Sequence, residues 1–508
     1  MKITQRTYPP LRSEKYAERA LPQTFSTFDL IVIYLAAIYF IGNAAGTASF
    51  GVVALSYLAL GAVTFFLPCA IAAAQLGAIF PYEGSLYNWT YRTLGPFWSF
   101  FAGIMYWAPN VLSIMAAADG FVTYVQGLNG HWLTQPWQQG AVILIIIAFT
   151  TILALQRQRV SQYVVNTSVI GVLVVTALMA LAGVLWLLRG HPSATPLSHP
   201  ADWMITPANF SLFGLVALLY LGVSLPLNMA GEIRDRQRSI PRHLLWGTVL
   251  VLVAYGIATF VPLLVRGSAL AQAAIVPYEI INTLTTAFGG PIGAMLGFVV
   301  PVIILAFYAL ATMVYNYANA RLLFVAAVDG RIPVAMGRLN KHRVPANAII
   351  FQSLLAASLT ICIFFVVPWI AFLGSPQNLA IEAYNLLLAI LTMVVALSTI
   401  FYFVDLLVVL RVHRSSLLQH LLVPVWLLWG CIIIGPLACL AVVADTLFNS
   451  WIPQMIPNDT WLILIGASIL VAFLLTAMGS MISAGQVSWE AMRSEDTQIE
   501  AMRGATRM

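Results

Sequence analysis

The sequence predicts an all-α polytopic membrane protein of about twelve transmembrane helices, two of them broken inside the bilayer. Three observations carry that prediction. Of 508 residues, 61% are hydrophobic and only 8% are charged, whereas charged residues make up about a quarter of a soluble globular chain. The apolar runs are about 20 residues long, enough to cross a hydrocarbon core roughly 30 Å thick. One of them, FSLFGLVALLYLG from Phe210, loses helical character at Gly222-Val223-Ser224-Leu225-Pro226 and runs into the charged loop Glu232–Arg242. Proline removes a donor and clashes with the preceding turn, and glycine is a poor helix interior residue. A break at bilayer depth strands polar backbone groups, so it is tolerated mainly where it lines a cavity.

Taken in order, residues 1–26 are polar and lack a signal-peptide core, which predicts an uncleaved cytoplasmic tail. Spans follow near Phe28–Phe50, Ala54–Ile79, Phe97–Tyr124, Ala141–Leu155 and Tyr163–Leu188. The sixth is Phe210–Met229, and the next four lie near Leu244–Val265, Ile292–Val325, Ala348–Phe372 and Ile381–Leu410. Leu421–Val443 and Trp461–Ile482 complete the set, and 483–508 form a second cytoplasmic tail. The first five spans occupy 27–188 and the next five 209–411, with two more in 421–482. The first span carries Phe40-Ile41-Gly42 and the sixth Tyr220-Leu221-Gly222. That echo is either a chance tripeptide match or what two inverted repeats of five spans would leave behind.

The basic residues test the count independently. With both ends inside, the inner loops collect Arg92, Arg157, Arg159, Arg234, Arg236, Arg238, Arg242, Arg331, Arg338, Lys341, Arg343, Arg411 and Arg414; only Arg189 and Arg266 fall outside. One span more or fewer would scatter this pattern. The net charge of +6 is dispersed through loops and builds no aromatic-interleaved basic patch, so a nucleic-acid partner is not expected. Cys69, Cys362, Cys431 and Cys439 sit singly in apolar runs, and the seven histidines lie in loops or at span ends. No metal site, cofactor or clustered catalytic constellation follows from them, so the chain does not read as an enzyme.

In the first span, Ile41-Gly42-Asn43-Ala44-Ala45-Gly46-Thr47-Ala48-Ser49 reads either as a small-residue packing face or as an unwound hinge. As a hinge, its freed N–H groups at the start of the following half-helix would meet a substrate carboxylate.

Three segments carry a family resemblance. Glu232–Arg242 resembles the E-x-x-[x]-P-x-R-x-I-P-R/K segment after the sixth helix of amino acid–polyamine–organocation permeases. Asn319–Ile349, with Asp329-Gly330, is similar to that family's stretch after helix eight. Phe80–Pro96 resembles its P-x-x-GG-x-Y-x-Y loop between helices two and three. The resemblance implies a five-plus-five inverted repeat with two extra helices, alternating access around broken helices one and six, and an amino acid or amine substrate. The matching positions are Gly42, Asn43, Ala44, Ala45, Gly46 and Thr47 in helix one. In helix six they are Tyr220, Gly222, Val223 and Ser224, and Tyr315 corresponds to a substrate-covering aromatic. Tyr87 and Tyr91 match loop tyrosines that brace the inner gate or touch substrate. Two positions depart from the family: Ser224 stands where many relatives carry a carboxylate, and Glu83 replaces the first glycine of the P-x-x-GG loop.

Acids inside spans are costly and are usually functional or paired. Asp119 in the third span is therefore a coupling or binding candidate, and Glu382 at the outer start of the tenth is a mouth or gating candidate. Asp405 and Asp445 read as interfacial. The expected function is a secondary transporter of amino acids in the plasma membrane, of the bacterial inner-membrane kind, working by exchange or with protons. A polyamine or amine permease is the alternative. A channel would need a continuous polar pore, and a sensor a soluble signalling domain. Neither is visible in the sequence.

Overall fold

The structure, a computed structural model, describes residues 8–370 and 375–505, the side chains of 376–379 and 486–505 excepted. The outermost residues of both expected tails, and the end of the ninth expected span, lie outside the described residues. Among those described the fold is all helical, the one extended pairing being a parallel bridge between Phe25 and Ile233.

The chain begins with α1 (Arg12–Ala20), then α2 (Thr27–Ile38) and α3 (Ile41–Ala48). A capping box starts α2: Asp29 N–H donates to Ser26 Oγ, and Ser26 N–H donates to the Asp29 carboxylate. Next come α4 (Val53–Gly61) and α5 (Leu67–Ile79), joined through a π-helical turn, then α6 (Ser85–Leu94), α7 (Pro96–Leu128), α8 (Pro136–Ala154) and α9 (Gln158–Leu188). The second half contains α10 (Leu212–Leu219), the 3-10 segment Leu225–Glu232, α11 (Arg236–Val265), α12 (Glu279–Phe288) and α13 (Gly290–Val328). It continues with α14 (Ala346–Ile361), α15 (Pro376–Val412), α16 (Arg414–Gln419), α17 (Val425–Phe448) and α18 (Asn458–Ala505).

Among the described residues, ten helices or helix runs are long and apolar enough to cross a membrane, and α2 with α3 makes an eleventh across a bend of 40°. α10 and the 3-10 segment after it are too short to qualify by length. The central helix is α7, whose apolar window is 83% buried, while that of α18 is 11% buried. α18 therefore faces outward, presenting Leu470, Val471, Leu474, Leu475 and Met478. Its helix runs on past the expected end at Ile482. The tail and loop helices α1, α6 and α12 were not expected from the sequence.

The loops rich in arginine meet at one end of the bundle. Arg92 makes two bonds to the Glu14 carboxylate of α1, at 3.0 and 2.5 Å. Arg236 pairs with Glu18 at 2.5 Å, and Asn340 donates to the Leu155 carbonyl. At the opposite end Arg266 pairs with Glu279 at 2.8 Å and Arg189 donates to the Ala287 carbonyl.

Candidate functional site

The site is built on two interruptions that touch. α2 stops at Ile38, and Tyr39 and Phe40 are extended (φ −89° and −102°) before α3 begins. This corrects the expected hinge position: the glycine-containing run Ile41–Ala48 is helical, and the break lies at the two aromatic residues before it. The carbonyls released by the break are taken up by tyrosines. Tyr315 donates to the Ala37 carbonyl. The Tyr255 hydroxyl donates to the Ile38 carbonyl at 2.6 Å and accepts the Phe40 N–H at 3.2 Å. Phenols thus satisfy groups that lipid could not.

In the second interruption, α10 ends at Leu219 and the chain is unwound from Tyr220 to Ser224 before the 3-10 segment, where Pro226 is tolerated in the first turn. Gly222 turns the chain with φ +103°, and an added Cβ would lie 3.4 Å from the Ala37 carbonyl oxygen. The two breaks therefore face each other.

Beside them lies a cavity of about 400 Å³, on the side of the breaks away from the basic loops. Of the residues expected at a site, it brings together Asn43, Gly46, Thr47, Asp119, Gly222 and Tyr315. Gly46 has open space where a Cβ would be. Asp119 shares the wall with Tyr308 and Tyr384, and the lining contains no Lys, Arg or His. The remaining wall is mainly apolar, from Leu215, Leu218, Leu388, Leu391 and Val395.

The other expected residues lie elsewhere. Gly42 sits beneath the lining, where its missing side chain lets the Tyr308 and Tyr124 hydroxyls approach: a Cβ would meet them at 2.8 and 3.1 Å. Ala44 and Ala45 are fully buried on the far side of α3, and Val223 is buried as well. Tyr220 stacks on Phe66 at 4.6 Å and donates to the Leu58 carbonyl, which turns it away from the cavity. Ser224 is bonded to the Tyr402 hydroxyl at 2.5 Å. Glu382 is outside the lining. Tyr384, Leu388, Leu391 and Val395 form the cavity face of α15, while Leu386, Ala389 and Met393 pack toward Trp461.

Tyr87 and Tyr91 belong to the basic end. Tyr87 donates to Asp329 at 3.2 Å, and Asp329 also accepts the Ser13 N–H and hydroxyl, both at 2.8 Å. Burial pushes the Asp329 carboxyl up to about 6, although these bonds and Arg331 favour its charged form. Tyr91 packs against Tyr8 with ring centroids 5.7 Å apart. Tyr87, through Asp329, ties α6 to α1 and to the end of α13. Asp405 and Asp445, expected at the interface, are instead buried and bonded: Asp405 accepts Thr90 and Thr93, and Asp445 accepts the Gly214 N–H.

Sequence reasoning missed Phe40, Asn110, Ser113, Tyr124, Tyr308 and Tyr384 in the lining. A signal existed on α7, where Asn110, Ser113, Ala117, Gly120 and Tyr124 recur at three- and four-residue steps and so share one helix face. Tyr308 and Tyr315 are two turns apart on α13.

The family profile described as "Amino acid permease" matches residues 25–474. The aromatic amino acid transport protein AroP of Escherichia coli (strain K12) is 26% identical over 351 residues, covering 66% of this chain and 71% of that protein. The branched-chain amino acid permease BcaP of Lactococcus lactis is 25% identical over 354 residues, 64% and 71% respectively. A glutamate/gamma-aminobutyrate antiporter of Lactococcus lactis is 23% identical over 312 residues, 59% and 60%.

Proposed function

The chain belongs to the amino acid permease family, and from that premise we propose that it carries an amino acid across the plasma membrane by alternating access. In this reading α10 and its 3-10 segment form a broken sixth span, which brings the count to twelve. The first ten form two inverted repeats, and both termini and the basic loops are cytoplasmic. The observation that carries the reading is the cavity walled by both interrupted helices. The start of α3 turns the positive end of its helix dipole toward the cavity, which favours a carboxylate there. Asp119 faces the ammonium, and the leucine-rich wall takes an apolar side chain. The side-chain and hydroxyl bonds across the basic end support reading this as a state closed toward the cytoplasm. Movement is by exchange or with a proton, and Asp119 is the coupling candidate within the cavity.

A second reading, an amine lacking a carboxylate, is favoured by one observation: Asp119 is the sole carboxylate in a lining without any cation. Counterflow in proteoliposomes tests both. Saturable exchange of large neutral amino acids, unaffected by excess monoamine, supports the first reading. Exchange of monoamines alone supports the second, and no exchange of either class by folded protein defeats both.

A further inference from the structure

At the basic end, directly beneath the breaks, three ionisable side chains are buried together. Glu83, in the turn between α5 and α6, is 2% exposed, and Glu232, at the end of the 3-10 segment, is 0% exposed. Arg321 of α13 is also fully buried, and its Nε donates to Glu232 Oε1 at 2.8 Å. The rest of that guanidinium is committed to the Tyr317 carbonyl and to Gln158. Glu83 Oε2 accepts the Gly231 N–H at 2.6 Å, but Glu83 Oε1 and Glu232 Oε2 meet no donor.

The charges do not balance if both acids are ionised. Two carboxylates face one fully buried cation. The other charged group near Glu83 is Arg236 of α11, which is spent on Glu18 and on the Gly231 and Pro81 carbonyls. A buried uncompensated carboxylate costs several kcal/mol, and the group takes up a proton instead. Two carboxylates near each other ionise separately, one of them held neutral. Glu232 has the arginine, so Glu83 is the one that is neutral, with its proton on Oε1. Burial and the neighbouring Glu232 both push Glu83 well above the usual carboxylate range, against the opposing pull of Arg321, the Gly231 N–H and Arg236.

We propose that Glu83 is a proton-binding site of the closed basic end, and that opening this end to water releases the proton. The proposal rests on the alternating-access reading above. Glu83 lies on the turn after the second span, Gly231 and Glu232 follow the broken sixth, and Arg321 lies on the eighth. Any opening that separates these elements removes the Gly231 bond and hydrates the carboxylate. The proton then passes from Oε1 to water, with no other bond made or broken. The sign follows by linkage: a carboxyl held high in the closed state favours that state at low pH. The preference falls as pH rises from the ordinary carboxylate range to the raised one, by up to about tenfold per pH unit for one proton. This site is distinct from Asp119, which lies in the cavity on the far side of the breaks.

Two measurements on the full-length protein test it. Infrared difference spectra of wild type and Glu83→Gln at neutral pH should differ by one protonated-carboxyl C=O band, lost from wild type on alkalinisation. In proteoliposomes with the cytoplasmic side at varied pH, wild-type exchange should slow on acidification, by up to about tenfold per unit. Glu83→Gln should be slow and pH-independent on that side. Glu83→Gly, which removes the carboxyl outright, serves if the glutamine variant does not fold. Identical spectra, or a wild-type pH slope retained by both variants, overturns the proposal. A site filled by sodium in place of the proton would also overturn it, and would show as sodium-dependent stabilisation that Glu83→Gln abolishes. If the band difference is present but no solute exchanges, the proton site stands and the carrier reading falls.

Discussion

Replacing Gly222 by alanine isolates the backbone geometry of the second interruption. At this position φ is +103°, a region L-residues rarely occupy, while the added methyl would meet only ordinary contacts, the nearest 3.4 Å away at the Ala37 carbonyl oxygen. The cost is therefore conformational and not steric. A non-glycine residue held there costs about 1–3 kcal/mol, which shifts the balance against this arrangement by about 5- to 150-fold. Gly256, inside α11 with nothing within 4 Å of an added Cβ, is the control, since Gly→Ala in a helix interior is stabilising by up to about 1 kcal/mol. The assay pairs the melting temperature of purified protein with the initial rate of exchange in proteoliposomes. Gly222→Ala should melt lower and exchange more slowly, and Gly256→Ala should do neither. If Gly222→Ala melts and exchanges like wild type, residue 222 does not hold this conformation in the working protein, and the touching breaks lose their basis.

Gly46→Leu should abolish exchange with an unchanged melting temperature, because its side chain would grow into open cavity space; normal exchange would place the solute elsewhere. Arg321→Met strips Glu232 of its partner at a fully buried site, and losing one member of such a pair costs about 3–5 kcal/mol. The variant should melt well below wild type, and adding Glu232→Gln should recover part of the loss. Asp329, held up to about 6 mainly by burial, stabilises the sealed end in its protonated form. That contribution is complete below about pH 4 and fades as pH rises through about 6. The difference in melting temperature between wild type and Asp329→Asn should therefore change across that interval and be constant above about pH 7. A flat difference across the whole range would show that Asp329 does not titrate there.

The membrane class and the second break are legible in the sequence because each has a local cause: apolar length for the spans, and Gly222 with Pro226 for the break. The first break lies just ahead of the glycines that suggest it. No glycine or proline marks Tyr39 and Phe40, and they are extended because Tyr255 and Tyr315, more than 200 residues away, accept and donate in place of the helix ladder. Tyr220 and Ser224 fail as lining residues for a similar reason. In an unwound segment no periodicity says which way a side chain points, and here Phe66 and Tyr402 decide it. Asp119 is legible as an acid inside a span, and the cavity face of α7 around it is equally periodic. Glu83 stands out in the sequence only as a departure from a motif, and its meaning depends on Glu232 and Arg321 being folded against it.

The hydroxyl of Tyr255 bridges the first interruption on both sides, much as a permanent water would, but it is tethered to α11 and cannot diffuse away. Two carbonyls and one N–H of the joint are thus satisfied by protein before any solute arrives. In the carrier reading proposed above, a half-helix changing its tilt would swap one partner for another without baring these carbonyls to the hydrocarbon. Such a swap nets no more than about 0.5–1.5 kcal/mol per bond, so tilting at this joint would cost little in backbone hydrogen bonding.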